Sequence, residues 1–307
     1  MIEARPLSKW AAMPPTRGKI AFDAPLSRFT WFGVGGPADV LFRPADIDDL
    51  CSFLKNLNQK ISVWPLGVGS NVIIRDGGIE GVVILLRGPF VKIFVENNLI
   101  IAGGGALSAN VARVAADKGL TGTEFLSGVP GSVGGAVRMN AGAYGTETKD
   151  VLIWAEVVTR PGHLKRLSAE ELGFSYRESI LRSDDIVVRA AFKGCEDNPH
   201  DIKTRLSDLQ KKRESSQPLR TRTGGSTFRN PEGMKAWELI DATGYRGHRV
   251  GTAHLSEKHC NFIIAENDAN ARDIEALGDF VRHQVKEKTG VDLQWEIKRI
   301  GRRTVHS

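Results

Sequence analysis

The chain has 307 residues, 41% of them hydrophobic and 25% charged, the proportions of an ordinary globular protein. One core of usual size does not organise that length, so about two domains are expected. No stretch approaches the roughly 20 uncharged apolar residues of a membrane span, the longest candidates being runs such as Val82 to Leu86, while the formal net charge of +6 raises a nucleic-acid reading.

Residues 1–24 read as an N-terminal extension. Arg5, Lys9, Arg17 and Lys19 surround Pro14-Pro15 without an apolar h-region, so no secretory leader and a cytoplasmic location are expected. From about Phe29 to Phe192 the pattern is β-rich and glycine-punctuated. Strands are predicted at Val40 to Phe42, Val63 to Leu66, Val72 to Ile74, Val82 to Leu86, Ile93 to Val95, Ile100 to Ala102, Leu152 to Val158 and Ile186 to Phe192. Two helices interrupt them: Asp46 to Leu57, with Ile47, Leu50, Leu54 and Leu57 at helical spacing, and Ser108 to Lys118, closed by Gly119.

A second block has a different rhythm. A basic helix from Ile202 to Arg213 leads into a loop from Gln217 to Pro231. A short helix near Ala236 to Thr243, a strand at Asn261 to Ala265, an amphipathic helix after Asn270 and a strand from Val291 to Ile300 follow. The whole is an α+β protein of two domains, divided at about 200/201.

Within Asp201 to Arg222 seven basic residues (Lys203, Arg205, Lys211, Lys212, Arg213, Arg220, Arg222) face three acids, Asp201, Asp208 and Glu214. Two readings stand: a solvated basic helix face, or a funnel for a small polyanion such as a diphosphate. Aromatics are only 7% and are not interleaved with the basic stretch, which disfavours nucleic-acid stacking. Cys51, Cys195 and Cys260 are distant and odd in number, so no disulfide framework or zinc site is expected and a reducing compartment fits.

The 33 glycines cluster. Gly67-Val68-Gly69-Ser70-Asn71 follows a strand, as does Gly103-Gly104-Gly105, and the densest run is Ser127-Gly128-Val129-Pro130-Gly131-Ser132-Val133-Gly134-Gly135. Such loops turn backbone N–H groups toward a phosphate without Cβ obstruction, although each alone could be a plain turn. A Rossmann fingerprint would open a long helix after Gly69, and here strand, turn and strand follow instead. A different phosphate-bearing cofactor fold is implied.

In order along the chain stand Thr30 to Asp39 (TWFGVGGPAD), Leu66 to Gly81, Ser127 to Gly145, Tyr176-Arg177-Glu178-Ser179, Gly225-Ser226-Thr227-Phe228-Arg229-Asn230-Pro231, Ser256 to Phe262 (SEKHCNF) and Leu293 to Ile297 (LQWEI). These seven segments resemble the UDP-N-acetylenolpyruvoylglucosamine reductases (MurB). The resemblance implies an FAD-binding domain of the vanillyl-alcohol-oxidase (PCMH) type at 25–200, in two subdomains, and an α+β substrate domain at 201–307. It implies non-covalent FAD held by Gly67, Val68, Gly69, Ser70 and Asn71, by Gly128, Pro130, Gly131, Ser132, Gly134 and Gly135, and by Asn140 and Gly142. It implies NADPH as reductant, UDP-N-acetylglucosamine enolpyruvate as substrate, a place in peptidoglycan precursor synthesis, no bound metal, and a monomer with no nucleic-acid or membrane partner.

That reaction needs a hydride at the vinyl terminus, a proton at the carbon bearing the carboxylate, and cationic stabilisation of the enolate between them. By the resemblance Arg177 stabilises the carboxylate, Ser226 donates the proton and Glu296 assists at the protonated carbon. Read without it, Arg177 is a surface arginine paired with an acid, Ser226 a residue of a flexible turn and Glu296 an exposed strand residue. A serine is a poor acid, so Ser226 could act only beside strong electrostatic stabilisation. Tyr176, Arg213, Asn230 and His254 are further substrate-binding candidates, and His259 reads as structural.

Two positions depart from the family pattern: His254 stands where many relatives carry glutamine, and Arg220 to Gly224 replaces the usual Pro-x-Ala approach. No tyrosine lies between Arg177 and Ser226, so the chain resembles the shorter subtype, without the loop that lays a tyrosine over the substrate. A sugar oxidase of the same cofactor fold would share the first glycine loops but not Gly-Ser-x-Phe-x-Asn-Pro or the late glutamate.

Overall fold

The computed structural model describes residue 10 and residues 13–304; the remainder of the expected N-terminal extension lies outside the described residues. Lys19–Pro25, which we read up to Ala24 as part of that extension, is an edge strand. It runs antiparallel to Pro37–Arg43, which pairs in parallel with Ile79–Leu85, itself parallel to Val63–Leu66. Helix Ile47–Asn56 covers this sheet. Its N-cap Asp46 accepts from the Asp49 N–H at 2.9 Å, and Leu50, Phe53 and Leu54 are buried against Phe42 and Val82.

A five-stranded antiparallel sheet follows, in the order Leu164–Ser168, Leu152–Val158, Ile186–Lys193, Leu99–Gly103, Ile93–Glu96. Helix Ser108–Asp117 and the short helix Val133–Arg138 pack on one face, with Val111, Ala115, Val133 and Val137 fully buried. Val133–Arg138 begins inside the run we read as glycine loop. Gly134 survives in a helix because the backbone passes close by: its N–H donates to the Gly104 carbonyl at 2.8 Å.

The third sheet is antiparallel, Thr223–Ser226, Phe262–Ala265, Ala253–Leu255, Arg249–Val250. One face buries Ala253, Leu255, Ile263 and Ala265 against helix Ala271–Thr289, whose Ile274, Leu277, Val281 and Val285 supply the apolar stripe. The helix begins on Asn270, which caps the Asp273 N–H at 2.8 Å, and ends on Gly290 at φ +76. Ser226, expected on a flexible turn, ends the first strand of this sheet and pairs with Phe262. The bond between sheets is stronger than the two-block reading suggests. Of the strand expected from Val291 onward only Lys298–Ile300 forms, and it pairs in parallel with Val72–Ile74 from the first half of the chain.

The loop after Val72–Ile74 clamps the two halves. Arg75 makes a bidentate ion pair with the largely buried Glu275 (3.0 to 3.2 Å), and Asp76 accepts the Ala271 N–H at 3.1 Å, adding its charge to the positive end of the long helix. Helix Pro199–Ser216, which we read with the second half, is tied to the first: Lys203 pairs with Asp117 (2.9 Å) and Arg205 with Glu124 (3.1 Å) and Asp197 (2.6 Å). Three charges of the basic stretch are thus neutralised locally, counting Lys211 with Asp208. Replacing Asp76 by Ala should lower stability by about 1 kcal/mol, the usual worth of a cap. Denaturant unfolding should show the loss with the far-UV spectrum unchanged.

Candidate active site

The glycine loops meet edge to edge. Ser70 Oγ donates to the Pro130 carbonyl at 3.0 Å, and a Cβ on Gly67 would stand 2.4 Å from Ser132 Oγ. Gly69 has φ +65, and a Cβ there would strike the Phe29 carbonyl at 2.1 Å, so a side chain has neither the conformation nor the room. Among the described residues the N–H groups of Val68, Gly69, Ser70 and Asn71 meet no protein acceptor. Adjacent free donors in a loop without Cβ crowding suit the oxygens of a dinucleotide pyrophosphate. The second loop gives the wall: Gly128 lies beneath the Tyr144 ring, Gly131 faces Ser70 Oγ, and Gly135 sits in the short helix.

The candidate cluster lies where the late strand reaches this cradle. The Lys298 N–H donates to the Asn71 carbonyl at 3.1 Å and Asn71 Nδ2 to the Glu296 carbonyl at 3.4 Å, so Glu296 is registered against the loop. On its other side the Glu296 N–H donates to the Thr227 carbonyl at 2.8 Å, bringing it beside Ser226. Arg177 comes from a two-residue turn closed by reciprocal Ser175 and Glu178 backbone bonds of 3.1 and 3.3 Å. Its φ of +58 is unusual for a side-chain-bearing residue and aims the side chain inward. Arg177 Nε donates to Glu296 Oε1 at 3.3 Å and Nη2 to the Gly142 carbonyl at 3.3 Å, while Nη1 is 4.0 Å from Glu147. Burial pushes the Glu296 carboxyl above its ordinary range, and the cations Arg177 and Arg229 pull it back.

Comparison with known proteins now bears on this geometry. An FAD-binding domain family matches residues 38–168, and the C-terminal domain of UDP-N-acetylenolpyruvoylglucosamine reductase matches residues 217–300. Proteins with that name from Paramagnetospirillum magneticum and Acidiphilium cryptum are each 54% identical to the chain, over 97% and 98% of both partners respectively. The chain belongs to the UDP-N-acetylenolpyruvoylglucosamine reductase family. The crystal structure of UDP-N-acetylenolpyruvylglucosamine reductase (MurB) from Thermus caldophilus agrees with a TM-score of 0.80 at 34% identity, over 93% of this chain and 99% of that one. The α+β architecture with an FAD-binding domain is therefore secure, and the protein is a flavin-dependent oxidoreductase whose cofactor is FAD.

Within this reductase frame the expected residues separate into groups. Arg177, Glu296 and the strand end carrying Ser226 converge, and Ser226 Oγ makes no hydrogen bond among the described residues. The plain readings of two residues are corrected: Glu296 is not exposed, with only 17% of its side chain accessible, and Ser226 is not in a turn. Tyr176 is exposed, 5.1 Å from the Arg177 guanidinium. His254 shares the Ser226 face of the third sheet, since His254 pairs with Ile264 and Ser226 with Phe262 two residues away; its Nδ1 is 3.0 Å from Glu266.

Three side chains are already engaged. Arg213 turns inward to Gln217 (3.2 Å) and the Ser127 carbonyl (3.5 Å). Asn230 Oδ1 accepts the Ala236 N–H at 3.0 Å. Asn140, expected at the cofactor, is fully buried and donates to Glu147 (3.0 Å) and the Ser175 carbonyl (3.1 Å) while accepting the Lys149 N–H (3.0 Å), so its amide supports the Arg177 turn instead. Sequence reasoning missed Glu147 and Arg229; the latter lies inside the quoted Gly-Ser-x-Phe-Arg-Asn-Pro segment, which was the available signal.

Without Arg177, burial acts on Glu296 with less opposition. A carboxyl whose folded pKa lies above the unfolded value supports the fold at low pH and loses that support as pH rises through the folded pKa. Arg177→Met should therefore lose stability progressively above about pH 4.3, the unperturbed glutamate value. Thermal unfolding across pH measures this slope, which Glu296→Gln in the same background should remove.

Proposed function

We propose that the protein reduces the enolpyruvyl ether of UDP-N-acetylglucosamine enolpyruvate to UDP-N-acetylmuramate with NADPH as reductant, serving peptidoglycan precursor synthesis in the cytoplasm. The observation carrying this reading is the half-buried Arg177 and Glu296 pair beside an unbonded Ser226 hydroxyl, at the rim of a cradle with free N–H donors. No helix among the described residues is long and apolar enough to cross a membrane.

Arg177 is the cation for the substrate carboxylate. A guanidinium offers paired donors to a planar carboxylate, and in a partly desolvated site that contact strengthens as negative charge spreads from the carboxylate into the enolate. Ser226 gives its proton to the carbon next to that carboxylate, where the charge it answers is already held by Arg177. Glu296, paired with Arg177 before substrate arrives, borders the same carbon and steadies the proton's approach. The chemistry a bound FAD supplies is hydride transfer, from NADPH in one half-reaction and to the vinyl terminus in the other. Both anionic substrates then use one cleft in turn.

Replacing Ser226 by Ala should leave flavin reduction by NADPH close to wild type and slow the second half-reaction by about 10² to 10⁴-fold. Anaerobic stopped-flow absorbance separates the two steps: the flavin band bleaches with NADPH and returns with the enolpyruvyl substrate. Equal loss of both steps would sink the role of Ser226. A wild-type band restored only by oxygen would favour a sugar oxidase.

A further inference from the structure

Two short segments, Thr227 to Arg229 and Gln294 to Glu296, form an antiparallel ribbon beneath the cleft. Phe228 and Trp295 bridge across it, the Thr227 carbonyl accepts the Glu296 N–H, and the Arg229 N–H donates to the Gln294 carbonyl, each at 2.8 Å. Side chains alternate along such a ribbon. Phe228 and Trp295, with ring centroids 5.2 Å apart, therefore occupy one face, and Arg229 and Glu296 share the other as diagonal neighbours.

Arg229 Nε is buried and meets no acceptor among the described residues. A charged donor left in that state is costly unless an opposite charge lies near. The charged groups acting on Glu296 are Arg177, from the Tyr176-Arg177 turn, and Arg229, from the facing segment. Glu147 and Lys149 lie beyond Arg177, paired with each other at 3.0 Å. Glu147, Arg177 and Glu296 thus form a row of alternating charge in ion-pair contact, with Arg229 beyond Glu296 as its diagonal neighbour but not in ion-pair contact, and an arriving carboxylate enters that row at Arg177.

We propose that Arg229 is a positioning residue that keeps Glu296 ionised when Arg177 turns to the substrate carboxylate. This rests on the roles given to Arg177 and Glu296 above. Once two carboxylates compete for Arg177, a buried Glu296 with no second cation would take up a proton as substrate binds. Arg229 supplies that cation from Glu296's own ribbon, where substrate arrival does not displace it.

The test compares wild type with Arg229→Gln and Arg229→Lys. Calorimetric titration of the oxidised, FAD-loaded enzyme with the enolpyruvyl substrate, in two buffers of different ionisation enthalpy, counts the protons taken up. Wild type and Arg229→Lys should take up few, whereas Arg229→Gln should take up close to one per site around neutral pH. The pH limb of the second half-reaction should also move upward in Arg229→Gln by on the order of one unit. FAD content and the rate of reduction by NADPH check the fold.

An unmoved limb with no added proton uptake in Arg229→Gln overturns the proposal. Should loss of the charge prevent FAD binding, Arg229→Lys decides: a wild-type limb and uptake support the role, and a displaced limb overturns it. Glu296→Gln separates the two levels. If limb and uptake persist without the Glu296 carboxyl, the reading of Glu296 fails, and the role of Arg229 falls with it for a distinct reason.

Discussion

The site depends on one parallel pairing, Lys298–Ile300 against Val72–Ile74. Strand register is quantised, and a slip of one residue would turn every side chain to the opposite face. Because Lys298 and Asn71 are hydrogen-bonded neighbours, that register decides whether the Glu296 carboxylate meets Arg177 or points elsewhere. The clamp at Arg75 and Asp76 protects the same register by tying the start of the adjoining loop to helix Ala271–Thr289 at two points. Neither half of the molecule contains a site alone: the first contributes the cradle and Arg177, the second Ser226 and Glu296.

Burial and pairing act against each other at the Arg177–Glu296 cluster. Glu296 and Arg177 are mostly withdrawn from water, which strengthens their attraction and raises the penalty for separating them. Any anion that competes with Glu296 for Arg177 does so at low cost only if the displaced group has another partner. In the role proposed for Arg229, the row of charges lets a negative group enter without leaving Glu296 uncompensated. Asn140 contributes from behind, holding the turn that places Arg177 and the carboxylate of Glu147 with one amide.

Much of this was legible in the residues. Hydrophobic periodicity located helices Ile47–Asn56 and Ala271–Thr289 and nearly every central strand, since apolar spacing reports burial directly. Lys19–Pro25 escaped because an edge strand with Ala24 as its one buried residue carries no alternation. Gly224-Gly225 read as a turn, whereas Gly224 is small because Phe32 and Ile297 pack where its Cβ would be. The motifs marked Arg177, Ser226 and Glu296, but only the folded chain brings the Asn140 amide to Glu147 and Ser175, or leaves Arg229 Nε without an acceptor among the described residues. Partner identity is a property of the fold, not of local spacing.

The late strand also has a temporal meaning. Asn71 and Glu296 touch across 225 positions of the chain, a separation that makes their contact among the most expensive in loop entropy to close. During synthesis the glycine cradle emerges long before the segment that borders it, so an edge at Val72–Ile74 waits unpaired while the ribosome completes the rest. Assembly of the Arg177–Glu296 cluster and completion of the fold are then one event, and a nascent chain that binds FAD early would still lack that cluster until Lys298–Ile300 docks.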